Sequence, residues 1–160
     1  MTTAEIWAIL DRVCDPEVPV LSVTDLGIVR EVKQSDNKIE IIITPTYSGC
    51  PAMDMIAVNI KAGLQAEGID NVTITSILSP AWTTDWMTEN GKQKLKAYGI
   101  APPVEENPDK MTLFAPQPAI ECPRCNSLNT KLLSQFGSTA CKAMHQCQDC
   151  KEPFDYFKCH

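Results

Sequence analysis

An α+β fold is predicted, a small three-stranded sheet covered by helices with a four-cysteine module behind it. Three observations predict it: apolar periods that read helix, strand, strand, helix, strand along the front of the chain, a Pro-rich acidic stretch after them, and two Cys-x-x-Cys pairs beyond that. Thr2 and Glu5 have capping-box spacing and Ile6, Ile9, Leu10 and Val13 share one face, so a helix is expected from Thr2 to Val13, ended by Asp15-Pro16. Ile28 to Lys33 and Lys38 to Thr44 read as strands of a hairpin, joined at the turn-prone Ser35-Asp36-Asn37. Pro51 suits a helix start, and Met53, Ile56, Ala57, Ile60 and Leu64 recur at helical spacing until Gly68. Val72 to Leu78 reads as a third strand, and a further helix is expected from Thr88 to Tyr98, ended at Gly99. Composition divides the chain into an α+β domain at 1–99, a linker at 100–120 and the cysteine module at 121–160.

A chain of 160 residues with 44% hydrophobic composition can bury an ordinary core. It holds no apolar run of the roughly 20 residues that a membrane-spanning helix needs. Met1-Thr2-Thr3-Ala4-Glu5 lacks the basic-then-apolar order of a signal peptide, so a cytoplasmic protein with no membrane partner is expected. Residues 1–120 hold nine Lys/Arg against sixteen Asp/Glu, and residues 121–160 hold five against four. Neither part is the dense basic face that nucleic acid requires.

Eight cysteines would suit a disulfide framework in a short secreted chain, but four of them form Cys122-Pro-Arg-Cys125 and Cys147-Gln-Asp-Cys150. Two intervening residues let a tight turn aim both sulfurs at one point, and two such turns complete a tetrahedron. Cys122, Cys125, Cys147 and Cys150 are therefore expected to hold one structural zinc ion in a zinc ribbon, although a single iron suits the same cage. Asn126, just after the first pair, is expected in a left-handed conformation. His145 as a substitute ligand, and Cys141 with Cys159 as a second thiol site, are secondary candidates.

Cys50 stands in Thr44-Pro-Thr-Tyr-Ser-Gly-Cys50-Pro51, after a strand and before an expected helix. Unpaired backbone N–H groups and the positive helix end favour a thiolate there, and packing alone is the competing reading. Cys14, at the end of the first helix, is expected in the core, and Asp15, Glu17 and Asp25 cluster in loops around the first strand. Both histidines lie in the tail, and neither a Ser-His-Asp pattern nor a phosphate-binding glycine loop occurs, so an enzyme is not expected.

Asp15-Pro-Glu-Val-Pro19, Thr24-Asp-Leu-Gly27 and Thr44-Pro-Thr-Tyr-Ser-Gly-Cys-Pro51 together resemble the family of iron–sulfur assembly factors that includes SufT and the cytosolic targeting factor of eukaryotes. The resemblance implies that Cys50 is the functional thiol, with Asp25 and Thr46 of the same motifs as further candidate site residues. Pro80-Ala-Trp-Thr-Thr-Asp-Trp-Met87, Phe136-Gly-Ser-Thr-Ala-Cys-Lys142 and Glu152-Pro-Phe-Asp-Tyr-Phe-Lys158 extend it over nearly the whole chain, to the D components of bacterial phenylacetyl-CoA epoxidase systems. Those systems pair a di-iron oxygenase with an iron–sulfur reductase. The resemblance implies an accessory or maturation role in aerobic phenylacetate breakdown, with oxygenase subunits or the reductase as partners. Iron or an iron–sulfur cluster would be transient cargo. A stably bound structural subunit is the alternative.

Overall fold

In the computed structural model, which describes residues 1–104 and 119–158, the predicted capping box opens α1 (Thr3–Leu10). The Glu5 N–H donates to the Thr2 hydroxyl while the Thr2 N–H donates to the Glu5 carboxylate. The helix stops short of Val13 because the next residues find a different partner. Cys14 pairs with Ser22, and the N–H groups of Asp15 and Val23 donate to the carbonyls of Leu21 and Val13. Asp15 then turns the chain by accepting from the N–H groups of Glu17 and Val18, both at 2.8 Å.

β1 (Val29–Ser35) and β2 (Lys38–Ile43) form the predicted antiparallel hairpin, from Val29 opposite Ile43 to Ser35 opposite Lys38. α2 (Ala52–Ala66) carries the chain to β3 (Val72–Ser76), which pairs parallel with β2 from Ile39 opposite Val72 to Ile43 opposite Ser76. The sheet order is β1-β2-β3, so β2 is central. Its Ile39, Ile41 and Ile43 are buried, and α2 buries Ala52, Ile56, Ile60 and Leu64, one per turn. Each fully buried Ile or Leu contributes about 1.5–3 kcal/mol. α1 packs against α2 and β1, and α2 against β3, as expected for helices covering a small sheet. A single 3-10 turn (Thr84–Trp86) precedes α3 (Glu89–Tyr98).

Two compact units result, Met1–Gly91 and Lys92–His160. The division expected from composition fell at residue 99, with a linker at 100–120. At the ends of that stretch, Ile100–Ala101 form a short strand, β4, and Ala101 and Ile120 are buried in the ribbon's core. Prolines hid these apolar positions, which find partners only in tertiary structure. Residues 105–118 of the expected linker lie outside the described residues. The ribbon itself is a four-stranded sheet in the order β4-β7-β6-β5, with β6 (Lys142–Cys147) antiparallel to both β5 (Thr130–Ser134) and β7 (Pro153–Phe157) and β4 parallel to β7. Among the described residues no helix is long and apolar enough to cross a membrane.

Candidate functional site

Cys122 and Cys125 lie on the turn before β5, Cys147 ends β6, and Cys150 lies on the turn before β7. Their four Sγ atoms all fall within 4.8 Å of one another, with Cys122 to Cys150 at 3.8 Å and Cys125 to Cys147 at 3.5 Å. Four thiolates about 2.3 Å from a central zinc ion stand about 3.8 Å apart, whereas a disulfide would bring two sulfurs to about 2.05 Å. The donor set thus fits one four-coordinate ion. Because protein fills every position, such an ion is structural rather than catalytic.

The two halves of this cluster are built alike. Asn126 (φ 62) and Lys151 (φ 65) are left-handed, each directly after a Cys-x-x-Cys pair. Cys122 and Cys147 close the turns by donating their N–H groups to the carbonyls of Ser127 and Glu152, at 2.9 and 3.0 Å. Sequence reasoning found Asn126 and missed Lys151, for lysine has no turn preference and only its equivalence to Asn126 signals the role. Asp149 ties the halves together, accepting from Ser127 Oγ and from Asn129 Nδ2 at 3.0 Å. Those two bonds, aided by Lys151 and opposed by burial, hold its carboxyl below the ordinary range.

The sulfurs are not electrostatically equivalent. The Cys150 N–H, helped by the Asp149 N–H and the Cys125 and Cys150 thiols, lowers Cys147 to about 7 against its burial. At Cys125 the Ser127 N–H acts downward, but the Cys147 thiol, burial and the Cys150 and Cys122 thiols together push it up to about 12. Crowded thiols resist joint ionisation, and a divalent cation between them removes that resistance. His145 and Cys141 do not join the cluster. His145 stacks on Phe154 at 5.8 Å and meets Tyr156 edge-on at 5.6 Å, and burial lowers its pKa. Cys141 is buried, with its Sγ 3.0 Å from Thr139 Oγ1. Cys159 lies outside the described residues.

Cys50 is half-buried in the segment that joins β2 to α2. Its N–H donates to the Tyr47 carbonyl at 3.3 Å and its carbonyl accepts from Met53 N–H at 3.2 Å, which sets the thiol one residue ahead of the helix cap. That cap, Pro51, makes no side-chain hydrogen bond, so no side chain at the cap position competes for the first N–H groups of α2. Thr46 is half-buried in the same segment. Cys14, expected in the core, is exposed because α1 ends early.

Asp25 is buried and used as a tie. Its Oδ2 accepts from Ser22 N–H at 3.3 Å, and its Oδ1 from Thr88 Oγ1 at 2.9 Å and Asn90 Nδ2 at 3.4 Å, so it joins its own turn to the start of α3. Asp25→Ala strands those donors in a buried place and is expected to destabilise the first unit by about 2–3 kcal/mol. Urea unfolding followed by tryptophan fluorescence measures this, and a loss under about 0.5 kcal/mol would contradict the tie.

A thiol at a strand-to-helix turn in an α+β unit, followed by a four-thiol ribbon fit for a metal ion, makes this a two-module protein. Two family models divide the chain in the same way: the iron–sulfur cluster assembly protein model matches residues 3–76, and the PaaD zinc beta ribbon domain model matches residues 106–158. The chain is 49% identical over 155 residues to the protein named as the D component of 1,2-phenylacetyl-CoA epoxidase in Escherichia coli (strain K12), covering 97% of this chain and 92% of that one. It belongs to the family of phenylacetyl-CoA epoxidase D components. A second relative, an Fe-S protein maturation auxiliary factor of Porphyromonas gingivalis (strain ATCC BAA-308 / W83), is 32% identical over 96 residues, covering 59% of this chain and 90% of that protein. Among solved structures, a DUF59 domain from Bacillus anthracis superposes with a TM-score of 0.54 at 26% identity, covering 57% of this chain and 89% of that one.

Proposed function

We propose that this chain is an accessory protein of a phenylacetyl-CoA epoxidase, working in the cytoplasm, and that it helps load iron or an iron–sulfur cluster into the oxygenase or its reductase through Cys50. The observation that supports it most is the placement of Cys50, a half-buried thiol at the start of α2 within the part of the chain that matches the assembly model. Among the described residues the first unit gathers no three-ligand cluster, so Cys50 offers cargo a single sulfur. A cargo held by one protein thiolate needs its other ligands from elsewhere and leaves readily, which suits transfer rather than storage. In this reading Asp25 fixes its own turn to the start of α3, Thr46 belongs to the thiol's segment, and the four-cysteine ribbon binds a structural zinc ion.

Cys50→Ala tests it. The variant is expected to keep the native fold, because it deletes one half-buried sulfur, yet to lower the iron and sulfide content of oxygenase and reductase produced with it and to abolish support of epoxidase activity. Cys14→Ala serves as the control and should leave both intact. Fully iron-loaded, active oxygenase made with Cys50→Ala would replace this reading by a second one, a stably bound structural subunit. The Escherichia coli relative is named as a component of the epoxidase itself, which favours that alternative, and co-purification in fixed stoichiometry would support it.

A further inference from the structure

α2 has two apolar faces. Ala52, Ile56, Ile60 and Leu64 are buried on one. On the opposite side Pro51, Met55, Val58 and Ala62 fall on a second helical stripe, and all four are exposed, Met55 by 53% and Val58 by 59%. Pro51 suits the helix start and Ala62 its interior, but a helix that only covers a sheet is polar on its outer side, so the exposed Met55 and Val58 are not explained by the fold. Eleven residues of helix make it about 16 Å long, three turns of contact surface. It begins at Pro51, directly beside Cys50. The stripe therefore starts at the immediate chain neighbour of the thiol-bearing residue.

We propose that the outward stripe of α2 is the docking face for the protein that receives cargo from Cys50, and that the receiving surface is apolar with a rim of Lys and Arg. This rests on the carrier reading above. Charge supplies the argument for the partner: the unit Met1–Gly91 holds thirteen Asp/Glu against five Lys/Arg, so it attracts a basic rim and repels an acidic one. Met55 adds a side chain that adapts to differently shaped surfaces, as transient docking requires.

The test uses full-length protein and, as probes, the oxygenase subunits and the reductase of the epoxidase, each purified alone. Met55→Lys/Val58→Lys removes the apolar contact and sets like charge against a basic rim. Both positions are exposed, so the thermal midpoint should not change. Binding to one of the probes is expected to weaken at least tenfold in this variant and severalfold in native protein when salt is raised from about 50 to about 300 mM. Cys50→Ala should bind as native protein does while failing to load cargo. That contrast separates the two ideas: a double-lysine variant with native affinity overturns the docking face even if Cys50→Ala abolishes loading, whereas lost binding with harmless Cys50→Ala overturns the carrier reading alone. Failure of native protein to bind any probe, or a concentration-dependent dimer that the double-lysine variant abolishes, also overturns the docking proposal.

Discussion

Cys147→Ser is expected to release the metal from the ribbon and to collapse its fold while the first unit stays native. The reason lies in what the ribbon has for a core. The buried cluster around the sulfurs is Ala101, Ile120, Cys122, Cys147 and Phe154, two of them thiols of the site itself, and beyond it the ribbon strands bury little more than Ile100, Cys141, Ala143 and Phe157. A core of that size cannot offset the ordering of a whole module, and structural zinc supplies an apparent binding free energy of about 10–16 kcal/mol that becomes folding free energy. Serine keeps the size of the side chain but removes the soft thiolate, leaving three sulfurs and an orphaned buried hydroxyl at the end of β6. The chain provides its own internal control: Trp7, Trp82 and Trp86 all lie in the first unit. Tryptophan fluorescence should therefore stay native in the variant while protease cuts the ribbon and elemental analysis finds the metal gone. Retention of one tightly bound ion per chain by Cys147→Ser, or native protein purified without chelator that holds no metal, would contradict the four-sulfur assignment.

Gly27→Ala is expected to be the most damaging small substitution in the first unit. Gly27 has φ +70, and a Cβ there would stand 2.3 Å from the Trp86 carbonyl oxygen and 2.8 Å from the carbonyl carbon. The obstruction is backbone, which cannot rotate aside. The segment over it is fixed as well, with Trp82 Nε1 donating to the Leu26 carbonyl at 2.8 Å and Arg30 lying 3.5 Å from the centre of the Trp86 ring. A loss of about 4 kcal/mol or more is expected in urea unfolding, beyond the usual range for a surface change. Gly49→Ala isolates the conformational part, since Gly49 has φ +79 but its added Cβ would meet nothing within 4 Å. That variant should lose only about 1–2 kcal/mol. Similar losses at the two positions would show that the contact with Trp86 matters less than the geometry implies.

The parts of this structure that sequence revealed are those set by local rules. The capping box at Thr2, the strand-like run from Lys38 to Thr44, the four-residue repeat along α2 and the two Cys-x-x-Cys turns each follow from residue types a few positions apart. What stayed hidden depends on distant partners. α1 ends early because residues 13–15 bond to residues 21–23, and nothing inside the helical period announces that competition. Asp25 looks like a solvated loop carboxylate until Thr88 and Asn90 are folded onto it. Ile100 and Ala101 sit beside prolines and show no period, yet they form β4 because β7 offers an open edge.

The parallel register between β2 and β3 obliges the chain to cross over through α2, and the thiol rides in the first bend of that crossover. Residues 44–50 lie outside every named strand and helix, at the carboxyl end of the central strand, where open sheets commonly expose their ligand sites. The thiol and the strand ladder thereby occupy different stretches of the chain. The motif of residues 44–51 that marks the family is therefore carried almost wholly by this bend, while Ile39 to Ile43 hold the register of the sheet on either side.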